Sequence, residues 1–156
     1  EIFQLTWKNQ QCFVYDLNSF ELKKEFAYSG EGWGLCTDGK QLIMSDGTER
    51  ITFRDPKNFQ TIRTIEVYTD QGPLPQLNEL EYIDGLIYAN IYMTNFVAVI
   101  DPSSGSVLAL IDAANVVAAA KGNGEVLNGI AFNALTGKTY MTGKYWPKLV
   151  EVSFIK

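Results

Sequence analysis

The residues of this chain that could do chemistry are few and of limited type. There is no histidine among the 156 residues. A Ser-His-Asp triad, a Cys-His pair and a His-ligated zinc are therefore excluded within this chain. What remains is carboxylates, lysines, amides, tyrosines and tryptophans. The most suggestive set is Trp7, Trp33, Asp46, Asn78, Tyr92, Asn128 and Lys144, with Glu79 and Glu81 flanking Asn78. Aromatic walls desolvate a small ligand and stack on it. A lysine stabilises negative charge developing on an oxygen. An asparagine both donates and accepts hydrogen bonds. Such a set could form a small-ligand pocket with polar partners for a reacting group.

These residues lie far apart in sequence, so the elements must bring them together. Three stretches align as strand, turn, strand: EGWGLCTDGKQLIMSDG (Glu31 to Gly47), LNELEYIDGLIYANIYM (Leu77 to Met93) and LNGIAFNALTGKTYMTGKY (Leu127 to Tyr145). EIFQLTWK (Glu1 to Lys8) reads as the second half of the same unit. A third strand follows each pair: CFVYDLNSF, ITFRDPKNF and VAVIDPSSG. A fourth follows that: ELKKEFAY, QTIRTIEV and SVLALIDA. The turn aspartates Asp16, Asp55 and Asp101 are spaced by 39 and then 46 residues. Asp-Pro and Ser-Ser-Gly at these places are turn chemistry.

Four short antiparallel strands in each unit of about 40 to 50 residues predict an all-β β-propeller. A β-sandwich explains the strands but not their repeated order. The chain covers about three to three and a half four-stranded blades. We read residues 1–156 as a single propeller domain, N-terminally incomplete, with an upstream segment expected to complete it. DAANVVAAAK (Asp112 to Lys121) is rich in helix formers and predicts one short helix on a loop, ended by Gly122 and Gly124.

In an antiparallel pair, the start of the first strand and the end of the second share one edge. The starts carry Trp33, Asn78 and Asn128, and the ends carry Trp7, Asp46, Tyr92 and Lys144. Repeat symmetry therefore predicts that all seven meet at one mouth of a central channel. Strand alternation places Glu79 and Glu81 on the face opposite Leu80.

Composition narrows the remaining classes. Hydrophobic residues make up 46% and charged residues 20%, which predicts a folded protein rather than disorder. A net charge of −5 argues against a nucleic-acid surface. No apolar run reaches transmembrane length, and the first residues already read as a strand. The two cysteines, Cys12 and Cys36, are read as buried free thiols.

The segments QLTWK, FVYD, GEGWGL, DGKQLIMSDGT, LNELEY, IYANIY, VLNGIAF and TGKYWPKL occur in this order from residue 4 to about residue 151. In types and order they resemble the glutaminyl-peptide cyclotransferases (glutaminyl cyclases) of plants and bacteria, a five-bladed propeller family. The resemblance implies conversion of an N-terminal glutamine of a peptide or protein to pyroglutamate, with release of ammonia. It assigns Lys144 and Asn78 to the reacting amide and Trp7 and Trp33 to the pocket; Tyr92, Glu79 and Asn128 are expected to complete the substrate-binding set. It implies no required cofactor and no metal, and an exported protein.

Two departures stand out. The family usually has Trp in the slot of Tyr92. The family's catalytic glutamate lies in an FGEG-like segment upstream of the stretch matching Glu1, and an FTQG-like segment further upstream also contributes. Neither occurs in these residues, so the chain alone is expected to be inactive unless that segment is supplied. Glu31 belongs to the motif preceding Trp33 and does not take the catalytic role. Two alternatives remain: a non-catalytic propeller binding a peptide or protein at the channel mouth, and a metal-dependent hydrolase with Asp46, Asn78 and Asn128 holding a cation such as Ca²⁺.

Overall fold

A computed structural model describes residues 1–154. Among the described residues the chain is all-β apart from one short helix. The first sheet holds three antiparallel strands, β1 (Ile2–Leu5), β2 (Gln11–Tyr15) and β3 (Leu22–Ala27). The second has four, β4 (Gly34–Thr37), β5 (Leu42–Ser45), β6 (Arg50–Arg54) and β7 (Thr61–Glu66). A small hairpin follows, β8 (Tyr68–Thr69) and β9 (Gly72–Pro73). The third sheet is β10 (Leu77–Ile83), β11 (Leu86–Ile91), β12 (Phe96–Ile100) and β13 (Val107–Asp112). The helix α1 (Ala114–Ala120) leads to the last sheet: β14 (Leu127–Asn133), β15 (Lys138–Gly143) and β16 (Val150–Val152). Within each of these four sheets, sequence neighbours are spatial neighbours.

The repeated aspartates show why the units share one shape. Asp16, Asp55 and Asp101 each accept a hydrogen bond at Oδ1 from the backbone N–H two residues on, at 2.8–2.9 Å. Each also accepts, at its backbone carbonyl, the N–H of the residue four on: Phe20, Phe59 and Gly105. Those three residues have φ of 57°, 60° and 82°. A short acidic side chain that closes its own turn is why aspartate recurs there.

The sheets pack in sequence order, with apolar residues filling each space between them. Cys12, Tyr28, Leu42, Met44 and Phe59 join the first sheet to the second. Ile43, Ile51 and Phe53 meet Leu80, Ile87 and Ile100 between the second and third. Ile83 and Val97 meet Leu127, Ile130 and Met141 between the third and fourth. The first strands β4, β10 and β14 lie side by side across the sheets. The fourth strands β7 and β13 are mostly exposed. In these two sheets the last strand is thus the surface strand.

Gly34 allows a close approach of the second sheet to the third. A Cβ there would lie 2.0 Å from the Asn78 carbonyl oxygen. The Ser45 hydroxyl, fully buried, donates to that same oxygen at 2.6 Å. The second and third sheets are therefore locked together beside Asn78.

Most sequence-based expectations of elements agree with this architecture. The helix is Ala114–Ala120, inside the expected 112–121, and Gly122 follows at φ 53°. The β8–β9 hairpin was not expected; its strands are two residues each, too short for periodicity to reveal. Ile155 and Lys156, the end of the segment read as the last strand, lie outside the described residues. Cys12 and Cys36 are both buried free thiols. Burial pushes the Cys12 thiol up to about 11 and Cys36 well above the ordinary thiol value, so neither is a thiolate at neutral pH.

Candidate functional site

A cavity of about 410 Å³ opens where the edges of the four sheets meet. Trp7, Gly32, Trp33, Asn78, Tyr92, Asn128 and Lys144 line it. Trp7 follows β1, Tyr92 follows β11 and Lys144 follows β15, while Trp33 precedes β4. Asn78 and Asn128 sit at the starts of β10 and β14. Six residues singled out by repeat position thus line one space, although residues 7 and 144 are nearly the whole chain apart.

Both asparagines occupy equivalent irregularities. The β10–β11 register slips between Leu77 and Leu80, and the β14–β15 register slips between Leu127 and Ile130. A bulge of this kind re-aims a side chain that regular alternation would direct elsewhere. Gly129 at φ 155° completes the second bulge, and its N–H donates to Asn90 Oδ1 at 2.8 Å. Asn128 Oδ1 faces the Glu79 N–H at 3.4 Å.

Two of the three aromatic rings are in contact. Trp33 meets Tyr92 edge-on, with ring centroids 5.4 Å apart and planes at 82°. The Trp33 indole also lies against Gly47, whose added Cβ would sit 2.5 Å from the ring. Lys144 Nζ stands 4.9 Å from the Tyr92 ring centroid. Among the described residues no carboxylate pairs with Lys144, so its charge is held beside an aromatic face. Backbone bonds fix its place: Lys144 N–H donates to Val126 O at 2.9 Å, and Glu125 N–H donates to Lys144 O at 2.8 Å.

Sequence reasoning missed Glu31 as part of this region. Its Oε2 accepts the indole N–H of Trp7 at 2.6 Å and of Trp33 at 2.8 Å. The hydrogen bonds from Trp33 and Trp7 hold its carboxyl below the usual carboxylate range.

Three acidic residues singled out in the sequence, Glu79, Glu81 and Asp46, sit away from the cavity. Glu79 does not line the cavity; its Oε2 accepts the Ile130 N–H at 2.7 Å. Glu81 does the same for Phe132 N–H at 3.1 Å. Their face of β10 is turned toward β14, so the two carboxyl groups link the third sheet to the fourth. Burial pushes the Glu79 carboxyl up to about 8, against the lowering effect of the Ile130 hydrogen bond. Asp46 also leaves the cavity. Its carboxylate accepts the Thr48 N–H at 3.0 Å and the Thr48 hydroxyl at 2.5 Å, and faces Arg50 at 3.6 Å. The tight turn after β5 claims this side chain before the cavity can. Asp46 therefore does not join Asn78 and Asn128 in a shared ligand set. Among the described residues no group of three or more acidic or cysteine side chains is placed to hold a metal ion.

A family model described as glutamine cyclotransferase matches residues 1–154, essentially the whole of this architecture. The chain belongs to the glutamine cyclotransferase family. It is 35% identical to a protein of Arabidopsis thaliana named glutaminyl-peptide cyclotransferase, over 97% of this chain and 49% of that protein. The chain thus spans about half the length of that curated relative. It also superposes on the crystal structure of Myxococcus xanthus glutaminyl cyclase with a TM-score of 0.91 and 39% identity, covering 97% of this chain and 67% of that one. Among the described residues no helix is long and apolar enough to cross a membrane.

Proposed function

We propose that the full-length protein carrying this chain is a glutaminyl-peptide cyclotransferase, and that the cavity holds its substrate. The α-amine of an N-terminal glutamine attacks the carbon of its own side-chain amide. The C–N bond to the amide nitrogen breaks, the nitrogen leaves as ammonia after taking a proton, and a five-membered lactam remains. The observation carrying this reading is the meeting of Trp7, Trp33, Asn78, Tyr92, Asn128 and Lys144 around about 410 Å³. That space suits a single side chain better than a folded surface.

The attack is intramolecular, so the site's first task is to hold a folded, near-attack conformer. The indoles of Trp7 and Trp33 and the ring of Tyr92 give three apolar walls for the glutaminyl chain. The second task is to stabilise the tetrahedral oxyanion. Lys144, with no carboxylate paired to it among the described residues, supplies a positive donor there. Asn78 serves as a second polar partner for the amide, and Asn128 borders the same space. Glu79 is a link between sheets in this reading, not a substrate contact.

The four stacked sheets are most simply understood as blades of a propeller, with β4, β10 and β14 facing its axis. The family's exported members make an exported protein the expectation here as well. The substrate is a peptide or protein with an unblocked N-terminal glutamine. The direct test incubates the full-length protein with a glutaminyl peptide and follows the product by mass spectrometry. Loss of one ammonia to give a pyroglutamyl peptide supports the proposal. A peptide that binds but stays unchanged contradicts it and favours a binding module.

A further inference from the structure

We infer that Glu31 is a positioning residue that sets the two tryptophan walls of the cavity as a single unit. One oxygen, Oε2, accepts both indole N–H groups, from Trp7 at 2.6 Å and from Trp33 at 2.8 Å. The two tryptophans come from different sheets, one after β1 and the other before β4. Nothing in strand pairing fixes their rings relative to one another. A shared acceptor does, because moving either indole stretches a charge-assisted hydrogen bond.

The need for such a clamp is clearest at Trp7. Its side chain is 59% exposed, and only Lys8 Nζ, 4.2 Å from the ring centroid, covers a face of it by charge. A large exposed ring beyond the end of a strand has rotamer freedom that must be removed before it can act as a wall. Trp33 is already held by Gly47 and Tyr92. Glu31 passes that order on to Trp7.

The backbone beside Glu31 is built for this. Gly32 N–H donates to Trp7 O at 3.0 Å. A Cβ on Gly32 would meet the Tyr28 hydroxyl at 2.3 Å and Thr6 O at 2.9 Å. Only glycine lets the segment lie this close to the Trp7 loop, so main chain and side chain fasten the two loops together. Glu31 does not itself line the cavity and acts through the indoles.

The test uses Glu31→Ala and Glu31→Gln in the full-length protein. The indole N–H of Trp146, which donates to Glu125 O at 3.0 Å, is an internal control. Exchange of the three indole protons with solvent is followed by NMR, with signals assigned by single Phe replacements. In Glu31→Ala, exchange at both Trp7 and Trp33 is expected to accelerate together by about tenfold or more, with Trp146 unchanged. Glu31→Gln keeps an acceptor oxygen and is expected to fall between wild type and Ala at both rings. Should Ala disturb folding, seen as loss of Trp146 protection, the Gln variant decides alone.

The kinetic arm rests on the cyclase reading. There, kcat/KM for a glutaminyl peptide is expected to fall by about 10- to 100-fold in Ala and less in Gln. Unchanged exchange at either ring overturns the inference. So does a kcat/KM within about twofold of wild type once both indole bonds are lost. If wild type shows no cyclase activity, the function proposal fails while the exchange experiment still decides the role of Glu31.

Discussion

Trp33 and Tyr92 meet edge to face at 5.4 Å, although 59 positions separate them and each belongs to a different sheet. Through that contact the second and third sheets share one wall of the cavity. Lys144, from the fourth sheet, stands over the other partner of the pair at 4.9 Å from the Tyr92 centroid. The Tyr92 ring thus stands between the Trp33 indole and the Lys144 cation.

Tyr92→Ala removes the wall and the ring beneath Lys144 together. KM for a glutaminyl peptide is expected to rise by about 5- to 20-fold, as for loss of a ring contact and a cation–π contact. Tyr92→Phe keeps both and is expected to stay close to wild type. Steady-state kinetics on the two variants checks this. Equal losses in Ala and Phe would shift the role from the ring to the hydroxyl.

Lys144→Met keeps the length of the side chain and removes its charge. Its backbone bonds to Val126 and Glu125 are untouched, so the thermal midpoint is expected to stay within a few degrees of wild type. Loss of a preorganised donor to an oxyanion costs about 100- to 1000-fold in kcat. A nearly unchanged kcat, measured by ammonia release, would remove Lys144 from the mechanism.

Gly34→Ala tests the lock between the second and third sheets. The new methyl group meets a backbone carbonyl at 2.0 Å, which no side-chain rotation relieves. The expected destabilisation is about 1–3 kcal/mol or more, read from denaturant unfolding. Activity should fall with it, because the carbonyl displaced is that of Asn78. Full stability in this variant would mean that the sheets can part locally at little cost.

Glu79 gives stability a pH dependence of definite sign. Its folded carboxyl titrates at about 8, against an ordinary value of 4.5, chiefly through burial. Between these values the folded state holds a proton that the unfolded state has lost. Stability therefore falls as pH rises from about 4.5 to about 8, and this contribution is level above that. Glu79→Gln is expected to flatten the slope in that window. Glu81, also raised by burial, leaves a smaller slope behind. Thermal midpoints across the pH range check the sign, and a slope unchanged in the Gln variant would contradict it.

Much of this organisation was legible in the chain because the repeat writes it several times. Asp16, Asp55 and Asp101 marked equivalent turns, and the structure closes all three the same way. Once those turns were aligned, strand direction alone put Trp7, Trp33, Asn78, Tyr92, Asn128 and Lys144 at one edge. Asp46 shows the limit of that argument. It shares the repeat position of Tyr92 and Lys144, but its short carboxylate finds donors in its own turn. Glu79 shows another. Alternation gave its face correctly, but which backbone would receive it depends on the neighbouring sheet. The pairing of Glu31 with Trp7, 24 residues away, has no periodic trace at all.

The measurement that bears most directly on the central claim compares two peptides with the full-length protein. One has a free N-terminal glutamine and the other is identical but N-acetylated. The account predicts ammonia and pyroglutamyl product in equal amounts from the first, and neither from the second, because the blocked amine cannot attack. No turnover of the free peptide, or ammonia from the acetylated one, would contradict an intramolecular cyclisation in this cavity.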